Sequence, residues 1–376
     1  MNQDIPFLQQ ALQKREKENT LRQLKTETQL IDLSSNDYLG FARNKKLSQK
    51  VFEDIEKTGF RRSGSTGSRL LTGNTVFAEK LEDKIANFHH AETALLFNSG
   101  YDANLGLLSS IAQRGDTFIH DSLSHASIID GVRLSLAGRK YKFEHNNVSD
   151  LKKKIRHATG TVFIIAECVY SMDGDFAPLR EIIDVCKEYG AHLIADEAHS
   201  TGIFGPEGSG VVVGEKLEAA VFARVFTFGK ALGAHGAAVA GSKALKEYLI
   251  NFSRSFIYTT ALPFHSLACI NAAYDHLPLA HAERKILFEN IDFFREEIKQ
   301  SGLSIKTTQS PIQSILVKGN EKVKQKALLL QNKGFDIRPV LSPTVEKGKE
   351  RLRICIHNYN TREQLKEVIN ILKESL

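Results

Sequence analysis

Three short segments of this chain of 376 residues set chemically useful groups close together. Asn98-Ser99-Gly100-Tyr101 puts a hydroxyl and a glycine where a helix should begin, and the free backbone N–H groups of a helix start favour a phosphate. Asp196-Glu197-Ala198-His199 places a carboxylate and an imidazole three residues apart, and Thr227-Phe228-Gly229-Lys230 presents a lysine on a glycine turn. Taken singly, Asp196 could cap a helix, His199 could be structural and Lys230 could be a surface side chain. In order on successive strand ends they are the parts needed to hold pyridoxal phosphate. The lysine would form a Schiff base with its aldehyde, the acid would keep the pyridine nitrogen protonated, and the helix start would seat the phosphate.

A scaffold must bring these segments together. Between residues 91 and 242 short apolar runs alternate with amphipathic stretches, the pattern of a wound α/β sheet. Residues 93–97 read as a strand and 103–112 as the helix after it. Residues 161–166 form a buried strand, 178–189 a helix with Pro178 in its first turn and Gly190 at its end, and 192–195 the next strand, ending on Asp196. Those two strands should be parallel with a right-handed crossover. In open α/β sheets ligands gather at the carboxyl ends of the strands, where all three segments fall. After Pro263 the texture changes to long charged helices and short strands. The expected organisation is an N-terminal helical arm with a short strand over 1–44, a large α/β domain over 45–276 and a smaller α+β domain over 277–376, consistent with chains beyond roughly 250 residues splitting their core.

Composition excludes several classes. With 42% hydrophobic residues the chain is no disordered or collagen-like polymer. Its four cysteines, Cys168, Cys186, Cys269 and Cys355, form no CxxC pair, so no zinc site or disulfide framework, and no metal, is expected. The net charge of +6 is scattered, without a helix-turn-helix or RNP-like strand, which argues against nucleic acid. The N-terminal stretch lacks a secretory apolar segment, and the apolar runs are too short to span a membrane, so a cytoplasmic location is expected.

Seven blocks carry a resemblance: Ser35-Asn36-Asp37-Tyr38-Leu39-Gly40, the glycine-rich 63–74, Ser124-His125-Ala126-Ser127, Ser171-Met172-Asp173-Gly174-Asp175, 196–202, 227–233 and 257–263. In these blocks and their order the chain resembles the α-oxoamine synthases, which are fold type I pyridoxal-phosphate enzymes. The resemblance implies a large domain with a mostly parallel seven-stranded sheet flanked by helices, plus a smaller C-terminal α+β domain. It implies that Lys230 binds the cofactor aldehyde, Asp196 pairs with the pyridinium, His125 stacks on the ring and faces substrate, and His199 hydrogen-bonds the ring hydroxyl. Gly100 and Tyr101 would lie against the cofactor, and Ser171 and Thr227 would hydrogen-bond it. Thr259 and Thr260 would reach the phosphate of a neighbouring subunit, which implies a homodimer with shared sites. Arg353 would clamp the substrate carboxylate, Arg351 being the other candidate on that strand, and Arg22 and Thr344 match further substrate positions.

The activity implied is an acyltransferase reaction in which an amino acid condenses with an acyl thioester and carbon dioxide is lost. The Ala198-His199-Ser200-Thr201-Gly202 and Thr227-Phe228-Gly229-Lys230 wording leans toward the branch serving biotin biosynthesis, with L-alanine and pimeloyl-CoA or a pimeloyl acyl carrier protein as substrates. The glycine C-acetyltransferase, 5-aminolevulinate synthase and serine palmitoyltransferase branches stay open. A nucleotide-binding α/β protein is the reading of a different class, and it would need G-x-G-x-x-G directly after a strand. The nearest run, 63–68, follows Arg61-Arg62 instead. Those arginines, with Lys14, Arg15, Lys17, Arg22 and Lys25, form a basic set suited to drawing in an anionic acyl donor.

Overall fold

A computed structural model describes residues 5–24, 26, 29–59 and 63–375. Lys25, Arg61 and Arg62 lie outside the described residues.

The chain divides into two compact units, one holding residues 36–171 and 175–285, the other the residues up to 35, 172–174 and 286 onward. The first is built on a seven-stranded sheet of β1 (Thr93–Phe97), β2 (Thr117–Asp121), β3 (Arg139–Phe143), β4 (Val162–Glu167), β5 (His192–Asp196), β6 (Val221–Thr227) and β7 (Ala237–Gly241). Their order across the sheet is β1-β7-β6-β5-β4-β2-β3, and only β7 runs against its neighbours.

Hydrophobic period explains this sheet. In β4 every residue is buried, and its side chains alternate between two cores: Phe163 and Ile165 join Leu107, Phe118 and Ile194, while Ile164 and Ala166 join Ile119, Ile182 and Leu193. A strand covered on both faces needs no polar side and reads as a continuous apolar run. The helix between β4 and β5, Leu179–Tyr189, buries Leu179, Ile182, Ile183, Val185 and Cys186. Pro178 stands at its N-cap, one position before the first turn, and Gly190 ends it at φ 65°, the left-handed conformation that a side chain would resist. The parallel pairing expected of β4 and β5 is present, with Glu167 opposite Asp196.

The other unit contains a three-stranded antiparallel sheet of Ile312–Leu316, Arg351–Cys355 and Arg338–Val340. Ile31 pairs in parallel with Phe335, and the helix Pro6–Lys17 buries none of its residues. Among the described residues no helix is long and apolar enough to cross a membrane.

Candidate active site

At the end of β1 the backbone turns into the helix Gly100–Ile111, whose N-cap Ser99 accepts a hydrogen bond from the Asp102 N–H. A Cβ on Gly100 would meet the Thr227 side chain at 3.2 Å, so glycine lets the helix start approach the end of β6 closely. Beside it the Asn98 amide donates to Thr259 Oγ1 at 2.8 Å and to the Thr260 carbonyl at 3.0 Å. The structure therefore brings Gly100 against Thr227, and Thr259 and Thr260 against Asn98 at the end of β1. Tyr101 is exposed, and its hydroxyl donates to Asp130, which raises the Tyr101 pKa.

Asp196 closes β5 and is 5% exposed. One carboxylate oxygen accepts from the Ala198 N–H at 2.9 Å and the other from the Asn104 amide at 2.8 Å. Asn104 also donates to Ser127 Oγ at 3.0 Å, and Ser127 Oγ lies 2.8 Å from His125 Nδ1. Because the Ser127 hydroxyl accepts from Asn104 and the Ser127 N–H points at Nδ1 from 3.2 Å, Nδ1 is assigned as acceptor and the ring proton sits on Nε2. A continuous chain of hydrogen bonds thus runs from Asp196 to His125. His125 is an exposed residue, yet loss of water around its imidazole lowers its pKa and the nearby Lys230 adds to this, while Asp196 pulls the other way. A neutral ring suits stacking.

Next to Asp196, Glu167 closes β4, and its Oε1 accepts the His125 backbone N–H at 2.5 Å. His199, 4% exposed, holds Nδ1 2.9 Å from the Tyr38 hydroxyl, which itself donates to Asn36 Oδ1 at 3.0 Å. With the tyrosine proton given to Asn36, Nδ1 is assigned as the donor, leaving Nε2 as an acceptor. Lys230 is half-buried on the connection from β6 to β7. That loop is tied by Phe228 N to Gly236 O and Ala234 N to Phe228 O, both 2.9 Å, and by Gly233 N to Lys230 O, also 2.9 Å. Ser171 is half-buried after β4.

In the other unit Arg22 and Thr344 are both exposed and hydrogen-bonded to each other at 2.9 Å. Arg351 is buried and ion-paired with Asp173, whereas Arg353 is half-buried with Nη1 2.9 Å from Cys355 Sγ.

Residues 28–372 match the family described as aminotransferase class I and II. The chain belongs to that family. It is 40% identical to the 8-amino-7-oxononanoate synthase of Emericella nidulans over 95% of this chain and 92% of that protein. Among solved structures, serine palmitoyltransferase from S. paucimobilis superposes with a TM-score of 0.88 at 30% identity, over 98% of this chain and 96% of the other. The 8-amino-7-oxononanoate synthase of Francisella tularensis superposes with a TM-score of 0.79 at 30% identity, over 92% and 97%. The fold type I expectation, with its mostly parallel seven-stranded sheet, is borne out.

Sequence reasoning missed Glu167, Asn104, Ser127 and Tyr38 as partners of the site. Two of them leave a signal. Asn104 is a lone amide on the buried face of a helix otherwise lined by Ala103, Leu107 and Leu108, and Glu167 is a carboxylate ending a wholly buried apolar strand.

Proposed function

We propose that this chain joins L-alanine to a pimeloyl thioester, releasing the free thiol and carbon dioxide and giving 8-amino-7-oxononanoate, with pyridoxal phosphate as cofactor. What carries the reading is the strand-end carboxylate of Asp196, fixed by two N–H donors and linked through Asn104 and Ser127 to His125, in a chain so similar to synthases of that product. The residues fit the cofactor. Asp196 is a buried anion prepared for a cationic ring nitrogen, His125 is open to stacking, and Gly100 stands where a side chain would crowd Thr227.

When bound, pyridoxal phosphate draws electrons from the α-carbon of the amino acid, so that a proton and later carbon dioxide can leave. The chain supplies the rest. Lys230 Nζ would hold the aldehyde, and the same amine would take and return the α-proton of the amino acid. Asp196 holds the ring nitrogen's charge, while neutral His125 covers one face and excludes water. His199, turned by Tyr38, offers Nε2 to the ring hydroxyl. Ser171, Thr227, Gly100 and Tyr101 complete the cradle. Arg353 takes the substrate carboxylate in its planar fork, and Arg22 and Thr344 add polar contacts. Two copies would share sites through Thr259 and Thr260, in the cytoplasm.

Purified protein should be yellow, and borohydride should fix the cofactor on Lys230. Side-by-side turnover of alanine, glycine and serine with pimeloyl, acetyl and palmitoyl thioesters should favour alanine with pimeloyl. The likeness to serine palmitoyltransferase favours a second reading, serine with a palmitoyl thioester, and faster turnover of that pair would replace the first. For the shared site, Lys230→Ala chains mixed with Thr259→Ala, Thr260→Ala chains should recover part of the activity. No recovery after confirmed subunit exchange would count against sharing.

A further inference from the structure

The ends of β4 and β5 hold two carboxylates side by side. Glu167 pairs with Asp196 across neighbouring parallel strands, which run about 4.8 Å apart, and the two are 3% and 5% exposed. Burial disfavours the charged form of a carboxylate, and a second buried carboxylate on the next strand end adds to that cost, so a proton on one of the two is favoured. The donors decide which. Asp196 receives the Ala198 N–H and the Asn104 amide on separate oxygens, whereas Glu167 receives the single His125 N–H on Oε1.

We propose that Glu167 is a positioning residue that stays protonated at neutral pH, anchoring the His125 backbone as a neutral acid and leaving Asp196 the one ionised carboxylate of this strand-end pair. This assignment rests on the pyridoxal phosphate reading for its purpose: an electron-withdrawing ring needs one charge at its nitrogen and a stacking histidine held in place.

The surrounding charges agree. Burial is the largest influence on Glu167 and, with the Asp196 charge and a smaller push from Asp121 on β2, lifts its pKa to about 8. The His125 N–H and the Lys230 ammonium pull it down without prevailing. Asp121 is itself bonded to His145, which limits its reach.

Infrared difference spectra of the cofactor-free protein should show a protonated-carboxyl band at pH 7 that is lost in Glu167→Gln and fades as pH is raised. Asp196→Asn should move that ionisation to lower pH, since it removes the charge opposing it. In the cofactor-loaded protein, Glu167→Gln should keep cofactor affinity within about twofold, because the amide oxygen still accepts the His125 N–H, while Glu167→Ala should weaken it about tenfold or more. No Glu167 carboxyl band at pH 7, or Glu167→Gln as damaging as Glu167→Ala, would overturn the proposal. Should Glu167→Ala fail to fold, the band and the Glu167→Gln comparison with the parent still decide. A band present in protein that binds no pyridoxal phosphate would instead overturn the cofactor reading and leave the protonated acid standing.

Discussion

In the unit with the seven-stranded sheet, Asp196, Glu167 and His199 are 5%, 3% and 4% exposed and are held by groups from other segments. In the other unit Arg22 and Thr344 are exposed and hold each other, and Arg353 leans on a sulfur two residues along its own strand. The difference is one of what sets position. Strand register places Glu167 and Asp196, with His199 three residues on and held by Tyr38, and register moves only in whole residues. Long side chains with several rotatable bonds place the second, so small changes nearby can retune them. Damage in the first region should therefore be close to all-or-none, and damage in the second graded.

The sharpest way to break that contrast is Lys230→Ala, which removes one amine from a tied loop and leaves the sheet intact. Turnover should fall by ~10²–10⁴-fold or more, the range of a lost acid–base group, with thermal unfolding unchanged. Persistent activity after free amines are removed would sink the assignment. Asp196→Asn comes next: it keeps the shape and loses the charge, and breaking a buried charged pair at ~3 kcal/mol predicts a roughly hundredfold slower exchange of the alanine α-proton. Exchange at the parental rate would contradict the role of the charge. In the other unit Arg353→Ala should act mainly on the Michaelis constant for the amino acid, raising it about tenfold for each ~1.4 kcal/mol of lost contact, with a smaller change in kcat. A collapse of kcat alone would place Arg353 with the cradle instead.

A fourth test concerns stability inside the sheet unit, at His145. Burial alone would lower the His145 pKa, but hydrogen bonds to Asp121 at 2.9 Å and Asp175 at 2.7 Å raise it to about 10. The folded value lies above the ordinary value near 6.5, so this stabilisation is complete below about pH 6.5 and is lost as pH climbs through 10. His145→Gln should lower Tm by several degrees at pH 6, and the gap should close toward pH 10. A gap independent of pH would mean the charge contributes nothing. The smallest effect is steering. Screening over a Debye length of ~8 Å should raise the Michaelis constant for the acyl donor several-fold more than for alanine as salt increases, and Arg61→Ala with Arg62→Ala should flatten that dependence. Equal salt sensitivity of both substrates would remove it.

The strand ends were legible because short apolar runs stop at Asn98, at Asp196 and just before the glycine turn that carries Lys230, as strands of a sheet covered on both faces do. The seven blocks then supplied the roles. Hidden from the sequence was everything decided across strands: that Glu167 stands opposite Asp196, that Asn104 bridges to Ser127, and that Tyr38 turns His199. Period two put Arg351 and Arg353 on one strand face, but could not say that Arg351 would be buried against Asp173 while Arg353 stayed half-buried.

The reversed direction of β7 has a consequence for the order in which the protein folds. Because β6 and β7 are antiparallel and joined by one tied loop, the lysine turn closes through contacts ten residues apart, Thr227 with Ala237. The same Ala237 must also pair with Phe97, 140 residues away, before the glycine helix start can meet Thr227. Loop closure over such a span is entropically dearer and slower than a hairpin, so the turn that carries Lys230 should exist early and the contact of the Gly100 helix start with Thr227 late. During refolding, amide protons of residues 223–241 should gain protection before those of 93–97, and added cofactor should speed only the later phase.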